Sequence, residues 1–133
     1  MPSSPQLSLM TKILNLNGVY ALNYSITDNV GIFISVEEEN KEAMCPNCQQ
    51  TTQKIHKNID ATLQDIQMGS QDVFLKVNRP QMRCEHCNHK FTKKLSFADK
   101  GTNYTQRFRD KIIKEVLNSD IRNTAKNNNI SEQ

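Results

Sequence analysis

Two short stretches, CPNC at residues 45–48 and CEHC at residues 84–87, hold all four cysteines of this 133-residue chain. Cys-x-x-Cys lets one tight turn present two thiolates at neighbouring corners of a tetrahedron, and two such turns complete the shell of a Zn²⁺ ion. No other sequence feature constrains the fold as much. An apolar fraction of 36% is low for a conventionally packed core, and small domains with too little apolar surface are commonly held by disulfides or a metal. The N-terminus lacks a basic region followed by an apolar one, and the longest apolar stretch, VGIFISV, is far too short to span a bilayer. A cytoplasmic, reducing setting is therefore expected, which favours metal or redox chemistry over structural disulfides.

The pattern predicts a structural four-cysteine zinc site made by Cys45, Cys48, Cys84 and Cys87, organised as a zinc ribbon whose middle is held chiefly by the metal. A thioredoxin-like dithiol and an iron–sulfur cluster are the alternatives. The dithiol would need one pair at the start of a helix in a βαβ context, whereas both pairs here adjoin predicted strands. His56, His86 and His89 are expected at the surface or behind the ligands, His89 being the first substitute if a thiolate were missing. Four thiolates leave no open position for water, and neither a phosphate loop nor a nucleophile motif is present, so no enzymatic activity and no small-molecule substrate are expected. Asp60, Asp65 and Asp72 read as strand-edge and turn residues.

Periodicity sets the expected architecture, an α+β fold. Leu9, Ile13 and Leu16, with Met10 and Leu14 beside them, predict a short amphipathic helix stopped at Gly18. A β-hairpin follows, with Tyr20, Leu22, Tyr24 and Ile26 alternating on one strand and Val30, Ile32, Ile34 and Val36 on the other, about Asp28-Asn29. Between the cysteine pairs, ATLQDIQM and QDVFLKVNRPQMRC read as antiparallel strands about Gly69-Ser70, with Pro80 at an edge or bulge. Tyr104, Phe108, Ile112 and Val116 recur every fourth residue, and Asn103 with Gln106 resembles a capping box, so a helix is expected there. A second helix is expected from Ser119 or Asp120 to about Asn127. Ala125, Asn129 and Ile130 then suit the turn of a truncated helix-turn-helix. The expected organisation is a helix and hairpin over 1–44, a zinc ribbon over 45–98 and a helical segment over 99–133.

Charge is unevenly spread. Residues 1–44 carry two Lys against five acids, and residues 76–126 carry thirteen Lys or Arg against five acids. A basic half suits an anionic partner, duplex DNA first, although a solvated charged surface reads the same way. The candidate phosphate contacts are Arg79, Arg83, Lys90, Lys93 and Lys94 around the second cysteine pair, and Arg107, Arg109 and Lys111 on the following helix, whose polar side Lys114 also covers. No membrane contact is expected, and a homodimer is left open. A zinc-ribbon adaptor that binds a protein partner through the N-terminal hairpin is the alternative function.

Taken together, CPNC, IHKNIDATLQDI with His56 and Asp65, VFLKVNRPQMRCEHCNHKFTKKL and YTQRFRDKI, preceded by LNLNGV, resemble the ISL-three family of insertion-sequence transposases. The resemblance implies an N-terminal zinc-binding module followed by a helix-turn-helix that recognises transposon ends. In that family a DDE-type catalytic domain cuts and joins strands with divalent metal. The resemblance covers the DNA-binding part and none of the catalytic domain, so strand transfer is not expected of this chain by itself.

Overall fold

The computed structural model describes residues 4–119. In chain order the elements are α1 (Pro5–Leu14), β1 (Val19–Thr27), β2 (Gly31–Glu38), β3 (Ala43–Met44), β4 (Thr51–Thr52), β5 (Ile55–Lys57), β6 (Asp60–Met68), β7 (Gln71–Asn78), β8 (Gln81–Arg83), β9 (Lys90–Thr92) and α2 (Gln106–Asn118). The fold is mixed α+β, mostly strand. None of the described helices is long and apolar enough to cross a membrane.

Ser4 caps α1 by accepting the Leu7 N–H at 3.2 Å, and Pro5 occupies the first turn, where a missing N–H costs nothing. The helix stops at Asn15 (φ 52°) rather than at Gly18, because asparagine also tolerates the left-handed conformation. Its inward face is Leu7, Met10 and Leu14, while Leu9 and Ile13, expected inward, are exposed. Thr11 donates to Leu7 O at 2.8 Å and accepts the Ala21 N–H at 2.9 Å, fastening the helix to the edge of β1.

The main sheet has the order β1-β2-β7-β6. The outer pairs are antiparallel, and the central pair β2·β7 is parallel, with Ile32 opposite Val73 and Ile34 opposite Leu75. Ile32, Ile34, Val36, Leu63, Val73, Leu75 and Val77 make the inner face, covered by Leu14 of α1 and by Leu95, Phe97 and Ala98. The hairpin forms as expected, but its first strand does not bury Tyr20, Leu22, Tyr24 and Ile26. Val19 and Ala21 are the buried residues, and a register shift between Ala21 and Asn23 changes the phase beyond them. Val30 lies in the turn and is exposed. Gly31 (φ 147°) is required where β2 meets β7, since a Cβ there would sit 2.4 Å from Asp72 O.

The two strands expected inside the ribbon form as β6 and β7 about Gly69, but β7 also pairs with β2, which places both in the main sheet. Their alternating Leu63, Val73, Leu75 and Val77 need a covered layer, which the small ribbon cannot provide. The ribbon itself comprises β3·β4 and the three-stranded β5-β8-β9. Pro80 lies between β7 and β8, so the strand breaks where an edge position or a bulge is expected from the sequence.

Thr105, rather than an Asn103–Gln106 box, caps α2 by accepting the Phe108 N–H at 3.2 Å. Phe108 and Ile112 are half-buried, whereas Ile113, Val116 and Leu117 are exposed. The expected second helix and Ala125, Asn129 and Ile130 lie outside the described residues.

Candidate metal centre

Both cysteine turns are built alike. In the first, the Cys45 N–H donates to Gln50 O at 2.8 Å and the Gln49 N–H to Cys45 O at 2.8 Å; in the second, the Cys84 N–H donates to His89 O and the Asn88 N–H to Cys84 O, each at 2.9 Å. The residue after each second cysteine is left-handed, Gln49 at φ 64° and Asn88 at φ 62°. Equivalent backbone turns aim two thiols each at one point. The buried Thr52 joins the halves, its hydroxyl donating to Arg83 O at 3.1 Å beside Cys84.

The four sulfurs lie within 4.8 Å of one another, with Cys45–Cys87 at 3.6 Å and Cys48–Cys84 at 3.3 Å. A tetrahedral zinc with Zn–S bonds of about 2.3 Å needs sulfur–sulfur edges of about 3.8 Å. The separations fit that shell and are far beyond the roughly 2 Å of a disulfide bond. Cys45, Cys48, Cys84 and Cys87 therefore make a structural zinc site, closed by four thiolates, and among the described residues no histidine belongs to this cluster. His89 stacks on Phe91, with centroids 6.3 Å apart, and the His86 N–H donates to Cys84 Sγ at 3.4 Å.

The environment grades the thiols. Asn47 Nδ2 donates to Cys87 Sγ at 3.5 Å and, with the His89 N–H, holds that thiol down to about 6. The N–H groups of Cys87 and His86 lower Cys84. The Gln50 N–H pulls Cys48 down, but the hydrogen bond with Cys84, desolvation and the Cys87 and Cys45 sulfurs outweigh it and push Cys48 up to about 12. Four crowded sulfurs cannot all ionise without a countercharge, which a divalent ion supplies. Sequence reasoning does not mark Asn47; its place inside CPNC is the available signal.

The candidate phosphate contacts divide into two sets. Arg79 donates to the carbonyls of Thr102 at 2.8 Å and Asp99 at 2.9 Å, and Arg107 pairs with the buried Asp65. Arg109 pairs with Asp99 and Asp110, Lys111 with Glu115 at 3.6 Å, and Lys93 with Glu38 at 3.8 Å. These cations are engaged within the fold. Arg83, Lys90 and Lys94 make no ion pair among the described residues; Lys90 and Lys94 are exposed and Arg83 is half-buried. Asp65, expected at a strand edge or turn, sits on the inner face of the sheet at 1% exposure. Its signal is its phase, two residues from the inward Leu63.

No curated protein and no solved structure matches the chain. Residues 41–87 match the family model for the zinc-finger of transposase IS204/IS1001/IS1096/IS1165. The matched segment spans all four zinc ligands and ends on the last of them, so the metal centre lies in a segment similar to the zinc ribbon of these transposases.

Proposed function

We propose that this chain is the zinc-dependent DNA-binding part of a transposase, recognising the duplex at transposon ends and carrying no strand-transfer activity by itself. The observation that carries the reading is the transposase-type ribbon over 41–87, wrapped around four convergent thiols. A closed sulfur shell gives the metal a scaffolding role, since it leaves no site for an activated water. Unpaired cations on the ribbon supply the electrostatic attraction that duplex DNA requires. Residues 120–133, with Ala125, Asn129 and Ile130, are read as the start of a helix-turn-helix that adds sequence discrimination. Reduced thiols and a DNA target suit work in the cytoplasm.

Fluorescence anisotropy of a labelled duplex, titrated with zinc-loaded protein across a range of salt, tests the reading. Binding at low salt that weakens steeply as salt rises is expected. Absence of binding at low salt would remove it. The adaptor reading draws on a different surface, the exposed Leu22, Tyr24 and Ile26 of the edge strand β1. It prevails if polar replacements there abolish capture of a protein partner while the chain has no affinity for duplex.

A further inference from the structure

The ribbon strands β5, β8 and β9 assemble a cationic face that the fold leaves without counter-ions. Lys57 lies opposite Gln81, and Arg83 opposite Lys90, so these side chains share one side of the three-stranded sheet. The register shift between Ile55 and Lys57 falls at His56, whose Nδ1 comes 3.5 Å from Arg83 Nη2. Among the described residues, no carboxylate pairs with Lys57, Arg83 or Lys90. The Arg83 Nε–H is buried and has no acceptor, and among the described residues no other buried side-chain donor is left so. Such an orphaned donor marks a guanidinium that the fold leaves unsatisfied, and with two further cations on the same side of the sheet it suits the charge-assisted hydrogen bonds by which arginine holds a phosphate. An imidazole that accepts at Nδ1 carries its proton on Nε2, which adds a donor. Desolvation first, and then the charges of Lys90, Arg83 and Lys57, hold His56 below its ordinary value, so all three cations are felt at that ring.

We propose that His56, Arg83 and Lys90, flanked by Lys57, form a seat for a backbone phosphodiester, and that the ribbon grips nucleic acid through this face rather than through α2. The proposal rests on the DNA-binding reading for its ligand. It differs from a general basic surface in naming one site, built where the bulge at His56 meets the orphaned guanidinium donor. On α2, by contrast, Arg107, Arg109 and Lys111 already have acidic partners, which leaves them less free to meet a phosphate.

Two measurements on the full, zinc-loaded chain test it. In the first, inorganic phosphate is titrated while the ring signals of the three histidines are followed by NMR. Saturable shifts confined to His56 are expected, and no response, or equal drift of His56, His86 and His89, overturns the seat. In the second, Lys57→Gln with Lys90→Gln is compared by duplex anisotropy with Lys111→Gln with Lys114→Gln and with Lys12→Gln, an exposed lysine on α1 that reports the loss of one charge. The ribbon pair should weaken binding about tenfold and reduce the salt slope by about 2, roughly one for each phosphate no longer neutralised. Arg83 is not altered first, because its neighbour Cys84 is a zinc ligand and a substitution there endangers the metal turn itself. Thermal melting of each variant confirms that the fold is kept. If the α2 pair loses affinity and the ribbon pair does not, the seat is wrong while DNA binding stands. If phosphate moves His56 but no duplex binds, the seat stands and the DNA-binding reading fails.

Discussion

Asp65 and Arg107 form a two-point ion pair, Nε to Oδ1 at 2.8 Å and Nη2 to Oδ2 at 2.5 Å, with the carboxylate buried under the edge of the sheet. The same guanidinium donates through Nη1 to Leu14 O at 2.6 Å, and the fully buried Thr105 hydroxyl donates to Asp65 Oδ1 at 2.8 Å. One carboxylate thus ties β6 to the start of α2, and Arg107 extends the tie to the end of α1. The carboxylate accepts from three donors, so its burial is compensated.

Asp65→Asn breaks the charge pairing without emptying the site. Urea unfolding should show a loss of about 3 kcal/mol, the low end for a disrupted buried pair because Arg107 keeps some contact with water. Thr105→Val should cost about 1 kcal/mol, through its cap and its hydrogen bond. The double variant should lose less than the two together, since both act on one carboxylate. Additive losses would show that the network is not a unit.

Removing zinc with a strong chelator should unravel the ribbon before the main sheet. Structural zinc supplies on the order of 10 kcal/mol of apparent free energy, whereas the sheet has its own packed core around Ile34, Leu63 and Leu75. NMR dispersion should collapse for 43–57 and 81–92 and persist for β2 and β7. A melt unchanged after verified zinc loss would contradict this. Cys45→Ser should behave like the chelated protein.

Asn47→Ala removes the donor that holds Cys87 near 6. The thiol pKa then rises, so protons compete better for that sulfur and zinc affinity falls by about tenfold at pH 7, as for other groups that support a ligand. The sign fixes the pH profile. Above about pH 9 both proteins hold a thiolate and bind alike; the difference grows as pH falls and levels off below about 6, where both are protonated. Competition with a chromophoric chelator across that range checks it, and a gap independent of pH would rule out the proton-competition explanation.

Gly31→Ala should destabilise the chain by more than about 2 kcal/mol, because its φ of 147° and the Asp72 carbonyl 2.4 Å from a new Cβ both oppose a side chain. Gly69→Ala, at φ 62° with nothing within 4 Å, should cost about 1 kcal/mol. Equal melting temperatures for the two variants would refute the steric account.

The metal centre was legible because its chemistry is local: each Cys-x-x-Cys is one turn, and two turns exhaust the cysteines. The strands were legible for the same reason, and so was the turn at Asp28-Asn29. Their partners were not. The alternation of Val73, Leu75 and Val77 announces an inward face without saying which strand lies beside it, and the parallel match to Ile32 and Ile34 joins residues distant in sequence. Long cations hid their roles in another way. Arg79 and Lys90 look equivalent as letters, yet one holds the carbonyls of Thr102 and Asp99 and the other faces outward. The phase shift at Leu22 depends on pairing geometry, which no alternation count contains.

The parallel pairing of β2 with β7 closes a loop of about 40 residues, and such distant pairings slow a fold's search. Cys48 and Cys84 bracket most of the same stretch of chain, so an ion captured early shortens the length that must still be closed by about a third, easing the step by about 0.4 kcal/mol. The metal would thus act as a kinetic shortcut to the central strands, setting how fast a newly made chain reaches its sheet.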